Sequence, residues 1–188
     1  MARYGLDKEK VIMKAAELAN ECGLNNLSLK ELADSLGIRP PSLYNHIKNI
    51  DELKHAMMLY ALSCLTKEVT AAVIGRIEDD AIRAMCKAYY YFAINNPGLY
   101  ESMQWYNRIE DEEVADASRD FIMVIDTVLL PYKLNDEQKQ HVFCLLRGLV
   151  HGFSSLAAFG GFSSEMPLES HFEWAVNVTI KNLHSIFE

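Results

Sequence analysis

Positions 39–48 read Arg-Pro-Pro-Ser-Leu-Tyr-Asn-His-Ile-Lys. Leu43 and Ile47, four residues apart, share the inner side of a helix. Arg39, Ser42, Asn45 and His46 are left on the outer side, with Tyr44 at its edge. Such an outer face, carrying a guanidinium, hydroxyls, a carboxamide and an imidazole, suits contact with DNA. Pro40 and Pro41 fit only a first helical turn, where their missing N–H groups would lack partners anyway.

The elements that must hold this face precede it. Ser28 and Glu31 form the S-x-x-E pattern of a capping box, in which two orphan backbone donors are satisfied at a helix start. Leu29, Leu32, Ala33 and Leu36 follow at i, i+3, i+4 and i+7 as one apolar stripe. Ala33 is small where a second helix must approach. Gly37 stops the first helix by taking the left-handed backbone of a tight turn, and Ile38 plugs the corner. The stretch 28–47 therefore reads as a helix-turn-helix. Two short amphipathic helices joined by a glycine turn also occur in helical proteins of other kinds. Against that reading, the second helix is too short to add much core, and its outer side carries only groups that can contact DNA.

Catalytic and metal chemistry find no comparable pattern. There is no G-x-S-x-G, Walker loop, HExxH or G-x-G-x-x-G. Asp111, Glu112 and Glu113 cluster in a solvated acidic segment, and the six histidines show no metal-ligand spacing. Cys22, Cys64, Cys86 and Cys144 are scattered without a C-x-x-C and read as buried thiols in a reducing cytoplasm. The expectation is no enzyme, no cofactor and no metal.

The net charge of −8 is unevenly distributed. Residues 1–58 carry eight basic and eight acidic side chains, whereas residues 59–188 carry ten and eighteen. The first part can approach phosphate while the second repels it. No N-terminal segment reads as a secretory signal. The apolar run Val142–Phe162 is interrupted by Arg147, His151 and two serines, so it reads as a buried helix instead of a membrane span.

In chain order, Arg3 lies in a loose arm, and Asp7 caps a first helix to about Glu21 with Val11, Ile12, Ala15, Leu18 and Ala19 inward. Cys22-Gly23 ends it. Asn49 with Glu52 caps a long fourth helix running past residue 70, with Leu53, Ala56, Met57, Tyr60, Ala61 and Cys64 as its stripe. Residues 78–95 form a helix in which Tyr89, Tyr90, Tyr91 and Phe92 cannot all face one core at about 100° per residue. Asn96-Pro97-Gly98 stops it, and a short helix spans about 99–105. Another starts at Asp111–Glu113 and closes at Pro131. A further helix runs from the Asn135 cap to Gly160-Gly161, and a last one spans about 167–187. The fold reads as all-α with about nine helices. A helix-turn-helix domain at 1–48 is joined through a helix over 49–75 to a helical domain over 49–188.

The N-terminal pattern resembles the TetR family of bacterial transcriptional regulators, whose members read T-x-x-x-I-A-x-x-x-G-V-S-x-x-x-L-Y-x-H/Y-F-x-x-K. The matching residues are Ser28, Leu32, Ala33, Gly37, Ile38, Leu43, Tyr44, His46 and Ile47. The family's phosphate-contacting Lys is Ile50 here, and Lys48 is the candidate substitute. The C-terminal part resembles the branch with W-x-x-x-H-G on its penultimate helix. His151-Gly152 and Gly161-Phe162 match, but the Trp position is Arg147.

The resemblance implies a cytoplasmic homodimer on an inverted-repeat operator, with recognition helices roughly 34–36 Å apart. Lys30, Arg39 and Ser42 are the candidates for base edges, and Pro40 and Pro41 for thymine methyls. Tyr44, His46 and Lys48 are the candidates for phosphate, with Ser28 and its helix start helping. Dimerisation is expected through about 136–160 and 167–187, with Gly148 and Gly152 allowing close approach. The competing reading makes those helices the chain's own core. Tyr89, Tyr90, Met103, Trp105, Phe121, Phe143 and His151 are the candidate lining of an effector pocket, although such a stripe can equally be plain core. The implied function is a repressor released by a small apolar or aromatic effector. The alternative is a DNA-binding adaptor answering to a protein partner.

Overall fold

The computed structural model describes residues 7–105, 112–161, 163 and 165–186. Arg3, Asp111, Phe162, Phe187 and the side chain of Trp105, each used above, lie outside the described residues. Among the described residues there are nine α-helices and no strand. They are α1 (Lys8–Cys22), α2 (Leu29–Ser35), α3 (Pro40–Leu43), α4 (Ile50–Val73), α5 (Glu78–Asn95), α6 (Pro97–Trp105), α7 (Glu112–Leu129), α8 (Asp136–Phe159) and α9 (Leu168–Ile186). The all-α expectation is met.

The chain forms two compact units, Met1–Ser63 with Asn96–Ala115, and Cys64–Asn95 with Asp116–Glu188. The unit that holds the helix-turn-helix is thus larger than residues 1–48, since it also takes the first part of α4 and all of α6.

In the first unit, Asp7 caps α1 by accepting from the Lys10 N–H at 2.8 Å, and Gly23, at φ +82°, closes it by donating to the Ala19 carbonyl. The buried side of α1 is Val11, Ile12, Ala15, Ala16 and Ala19, while Leu18 is only half-buried. α6 docks on α1 at Gly98, where a Cβ would lie 2.6 Å from the Ala19 Cβ. Two polar contacts fix that approach. The Gly98 N–H donates to Asn20 Oδ1 at 2.7 Å, and Glu101 accepts from the Leu24 N–H at 2.8 Å. The sequence placed Pro97 in a helix stop. It starts α6 instead, because a proline costs nothing at the first turn of a helix.

In the second unit, α5, α8 and α9 pack on one another. Tyr89, Tyr90 and Phe92 are buried, and Tyr91 is the half-buried member that the run of four aromatics required. Asn135 starts α8 with a complete capping box to Gln138, and Gly160 ends it at φ +60°. Pro131 closes α7 through a 3-10 turn over Leu130–Tyr132, where the Tyr132 hydroxyl donates to Asp79.

Two expectations need correction. The run around 142–162 is not a buried helix within one chain. Less than a quarter of its most apolar stretch is covered, and Leu145, Leu156 and Phe159 are exposed. Its buried side is confined to Val142, Leu146, Val150 and Ser154, so its apolar residues encircle more of the helix than the chain itself can cover. Among the described residues, α4 and α8 are long and apolar enough to cross a membrane. The cysteines are not all buried either. Only Cys86 is, its thiol pushed up to about 12 by desolvation, while Cys22 and Cys144 are exposed and Cys64 is half-buried.

Candidate nucleic-acid interface and ligand site

The helix-turn-helix is built on Leu32, Ala33, Leu43 and Ile47, all fully buried. Burial of each larger side chain contributes about 1.5–3 kcal/mol, so the outer groups sit on a fixed support. Ser28 caps α2 through its Oγ, which accepts from the Glu31 N–H at 3.2 Å. The reciprocal half of the expected box differs, because the Glu31 carboxylate accepts the Ser28 hydroxyl at 2.7 Å instead of the backbone N–H. Gly37, at φ +65°, makes the turn, and the Ile38 N–H returns to the Ala33 carbonyl at 3.0 Å. Regular α3 stops at Leu43, and hydrogen-bonded turns carry the chain on, with the Ile47 N–H reaching the Leu43 carbonyl at 3.1 Å.

On that support Lys30, Arg39, Pro40, Pro41, Ser42, Tyr44 and Lys48 are exposed, and Ser28 and His46 are half-buried. Tyr44 keeps 54% of its surface open, unusually much for an aromatic side chain and enough to reach another molecule. Behind the face, Glu52 accepts from the Lys48 N–H at 2.9 Å and donates its own N–H to Asn49 Oδ1 at 2.8 Å, so Asn49 caps α4 as read. Lys8 pairs with the same carboxylate at 3.7 Å. The Lys48 N–H and then Lys8 hold the Glu52 carboxyl below its ordinary value. Lys48 is thereby fixed at its backbone and open at its side chain, as a substitute for the lysine missing at Ile50 would need to be.

Within the second unit, the expected pocket residues point to more than one place. Tyr89 and Phe121 meet edge to face at 5.8 Å between ring centroids, and Phe121 meets Phe143 at 6.4 Å. Tyr90 turns elsewhere, stacking on Phe172 at 4.4 Å. Met103 belongs to α6 in the first unit, and His151 is on an exposed side of α8. The sequence missed Arg147 as a member of the aromatic cluster. It is half-buried beside the Tyr89 hydroxyl. Burial raises the tyrosine's pKa, and the guanidinium pulls it partly back.

A separate open groove of about 590 Å³ is bounded by the end of α4, α5 and α9. Its cations are largely matched from within. Arg83 pairs with Asp79 and Asp80, and Lys87 with Glu169 and Glu173.

Comparison with known proteins bears on both units. Residues 11–57 match the model for bacterial regulatory proteins of the tetR family, and residues 82–179 match that for the tetracyclin repressor-like C-terminal domain. The chain is 29% identical over 182 residues to the uncharacterised HTH-type transcriptional regulator YobS of Bacillus subtilis, covering 96% of this chain and 94% of that one. A solved structure of a protein of unknown function from Rhodococcus sp. RHA1 superposes with a TM-score of 0.80 at 18% identity, covering 97% of each chain. AibR, solved in complex with isovaleryl coenzyme A and operator DNA, superposes with a TM-score of 0.70 at 15% identity, covering 91% of this chain and 96% of its own.

Proposed function

This chain belongs to the tetR family of bacterial regulatory proteins, and from that premise we propose that it is a homodimeric repressor released from an inverted-repeat operator by a small-molecule effector. That it is a DNA-binding transcriptional regulator follows from the family. The observation that carries the rest of the DNA reading is the row of exposed groups from Arg39 to Lys48 on a buried Leu43–Ile47 support. Lys30, Arg39 and Ser42 read base edges, Pro40 and Pro41 meet thymine methyls, and Ser28, Tyr44, His46 and Lys48 hold phosphate.

Dimerisation is supported by the outward apolar surface of α8 and α9. Leu145, Leu156, Phe159, Trp174 and Val178 are exposed, and among the described residues nothing beyond the adjoining stretch of α8 itself lies within 4 Å of where a Cβ at Gly148 or Gly152 would be. A second copy of the same surface would cover it and set two reading heads on one duplex.

The effector binds in the second unit at the Tyr89–Phe121–Phe143 cluster. Its signal travels along the chain, since α5 leads directly into α6, which is pinned to α1 at Gly98 and Glu101. An effector that favours one placement of α5 therefore favours one placement of the reading head, a population shift between two dimer forms. AibR was solved with both a small molecule and operator DNA, which makes the same pairing reasonable here. A regulator of this kind works in the cytoplasm, where its DNA is.

Capture of sheared genomic DNA, with sequencing of the retained fragments, tests this. The proposal expects a few fragments sharing one inverted repeat and lost on adding a small-molecule extract of the cells. Retention without a shared sequence would overturn it.

A further inference from the structure

Among the described residues of the second unit, Lys67, Arg76, Lys133 and Lys181 have no carboxylate partner but are exposed to water. Arg83, Lys87, Arg119 and Lys139 each pair with at least one aspartate or glutamate. Arg147 pairs with none among the described residues, although it is half-buried and set beside the hydroxyl of the buried Tyr89. A guanidinium removed from water needs a compensating charge, and its planar fork of donors matches a carboxylate.

The surroundings add to this. Phe143 lies one turn before Arg147 on α8, within the edge-to-face chain of Tyr89, Phe121 and Phe143. Ser154 follows seven residues after Arg147, just short of two turns, and so on the same side of the helix. It is 4% exposed, and its Oγ has no hydrogen-bond partner among the described residues. A serine inside a helix commonly turns back to the carbonyl four residues before it, so a buried Oγ left without a bond is a second polar group awaiting a partner. One side of α8 therefore carries aromatic surface, an uncompensated cation and an unused hydroxyl.

We propose that the effector is an organic acid whose carboxylate is taken by Arg147 and whose apolar body lies on the rings of Tyr89, Phe121 and Phe143. This rests on the effector reading above and narrows the expected apolar or aromatic ligand to one that carries a carboxylate. Tyr89 is the positioning residue that holds the guanidinium toward the site.

The test uses the full-length dimer with phenylacetate, octanoate and decanoate, set against the corresponding primary amides and amines. Thermal stability and release of captured operator DNA are both read. The proposal expects at least one acid to raise the melting temperature and release DNA while its amide and amine do neither. It expects Arg147→Gln to weaken that acid by at least about tenfold, and Arg147→Lys to retain more of the response, each variant being scored against its own operator affinity without acid. An amide that acts as well as its acid, or an acid response that Arg147→Gln leaves intact, overturns the proposal but keeps the effector reading. No response to any acid, amide or amine overturns both.

Discussion

Arg39 stands exposed at the start of α3, where a long side chain can enter a groove. Arg39→Ala is expected to cost about 1–3 kcal/mol on the preferred site and to relax base preference at one position per half-site. Titration against single-base variants checks this, and an equal loss on every sequence would limit Arg39 to phosphate. Gly98 makes a different prediction. Its missing Cβ leaves room for the Ala19 Cβ and backbone of α1, so Gly98→Ala should destabilise by about 1–3 kcal/mol through overpacking, read by urea unfolding. At this scale the sequence was informative wherever a residue type is demanded by backbone chemistry. Gly37 and Asn135 were legible for that reason. The role of Arg147 was not, because a mismatch with a family pattern says nothing about which side chain it meets. Only its placement beside Tyr89 shows that.

The helices themselves were legible through their caps and apolar spacing. Asp7, Asn49 and Asn135 cap as read, and Ser28 does so for its own half of the expected box, since a cap needs only local sequence. α6 was misplaced at its start, because Pro97 can either end one helix or begin the next, and its docking on α1 decides which. Ser28→Ala should cost about 1 kcal/mol and loosen α2, measured as earlier hydrogen exchange in residues 29–35. The start of α4 carries a pH prediction. The Glu52 carboxyl is held low by the Lys48 N–H and by Lys8. A group with a depressed folded pKa contributes stability above its unfolded value, and that contribution is lost as pH falls through the folded one. Glu52→Gln should therefore flatten the acid side of the stability profile below the ordinary carboxylate range. A profile identical to wild type would show that the Glu52 contacts contribute nothing.

For the whole molecule, the sequence left open whether the last two helices are core or interface, because periodicity shows an apolar face but not what covers it. The structure leaves Leu145, Leu156, Phe159 and Trp174 uncovered in one chain. Replacing Leu156 and Phe159 by Glu together should shift sedimentation from dimer to monomer and reduce operator affinity, while helical content is kept. A variant that stays dimeric would move the interface elsewhere. The same limit applied to the candidate pocket residues. The aromatic residues were visible, but the sequence could not say that Tyr90 turns to Phe172 while Tyr89 turns to Phe121. The central claim, a paired reading head on a symmetric site, is tested most directly by selection from a random duplex library at near-physiological salt. Two inverted half-sites with centres about one helical turn apart, or a multiple of it, are the predicted product. A single unrepeated motif, or no enrichment beyond the salt-sensitive binding of phosphate, would contradict it.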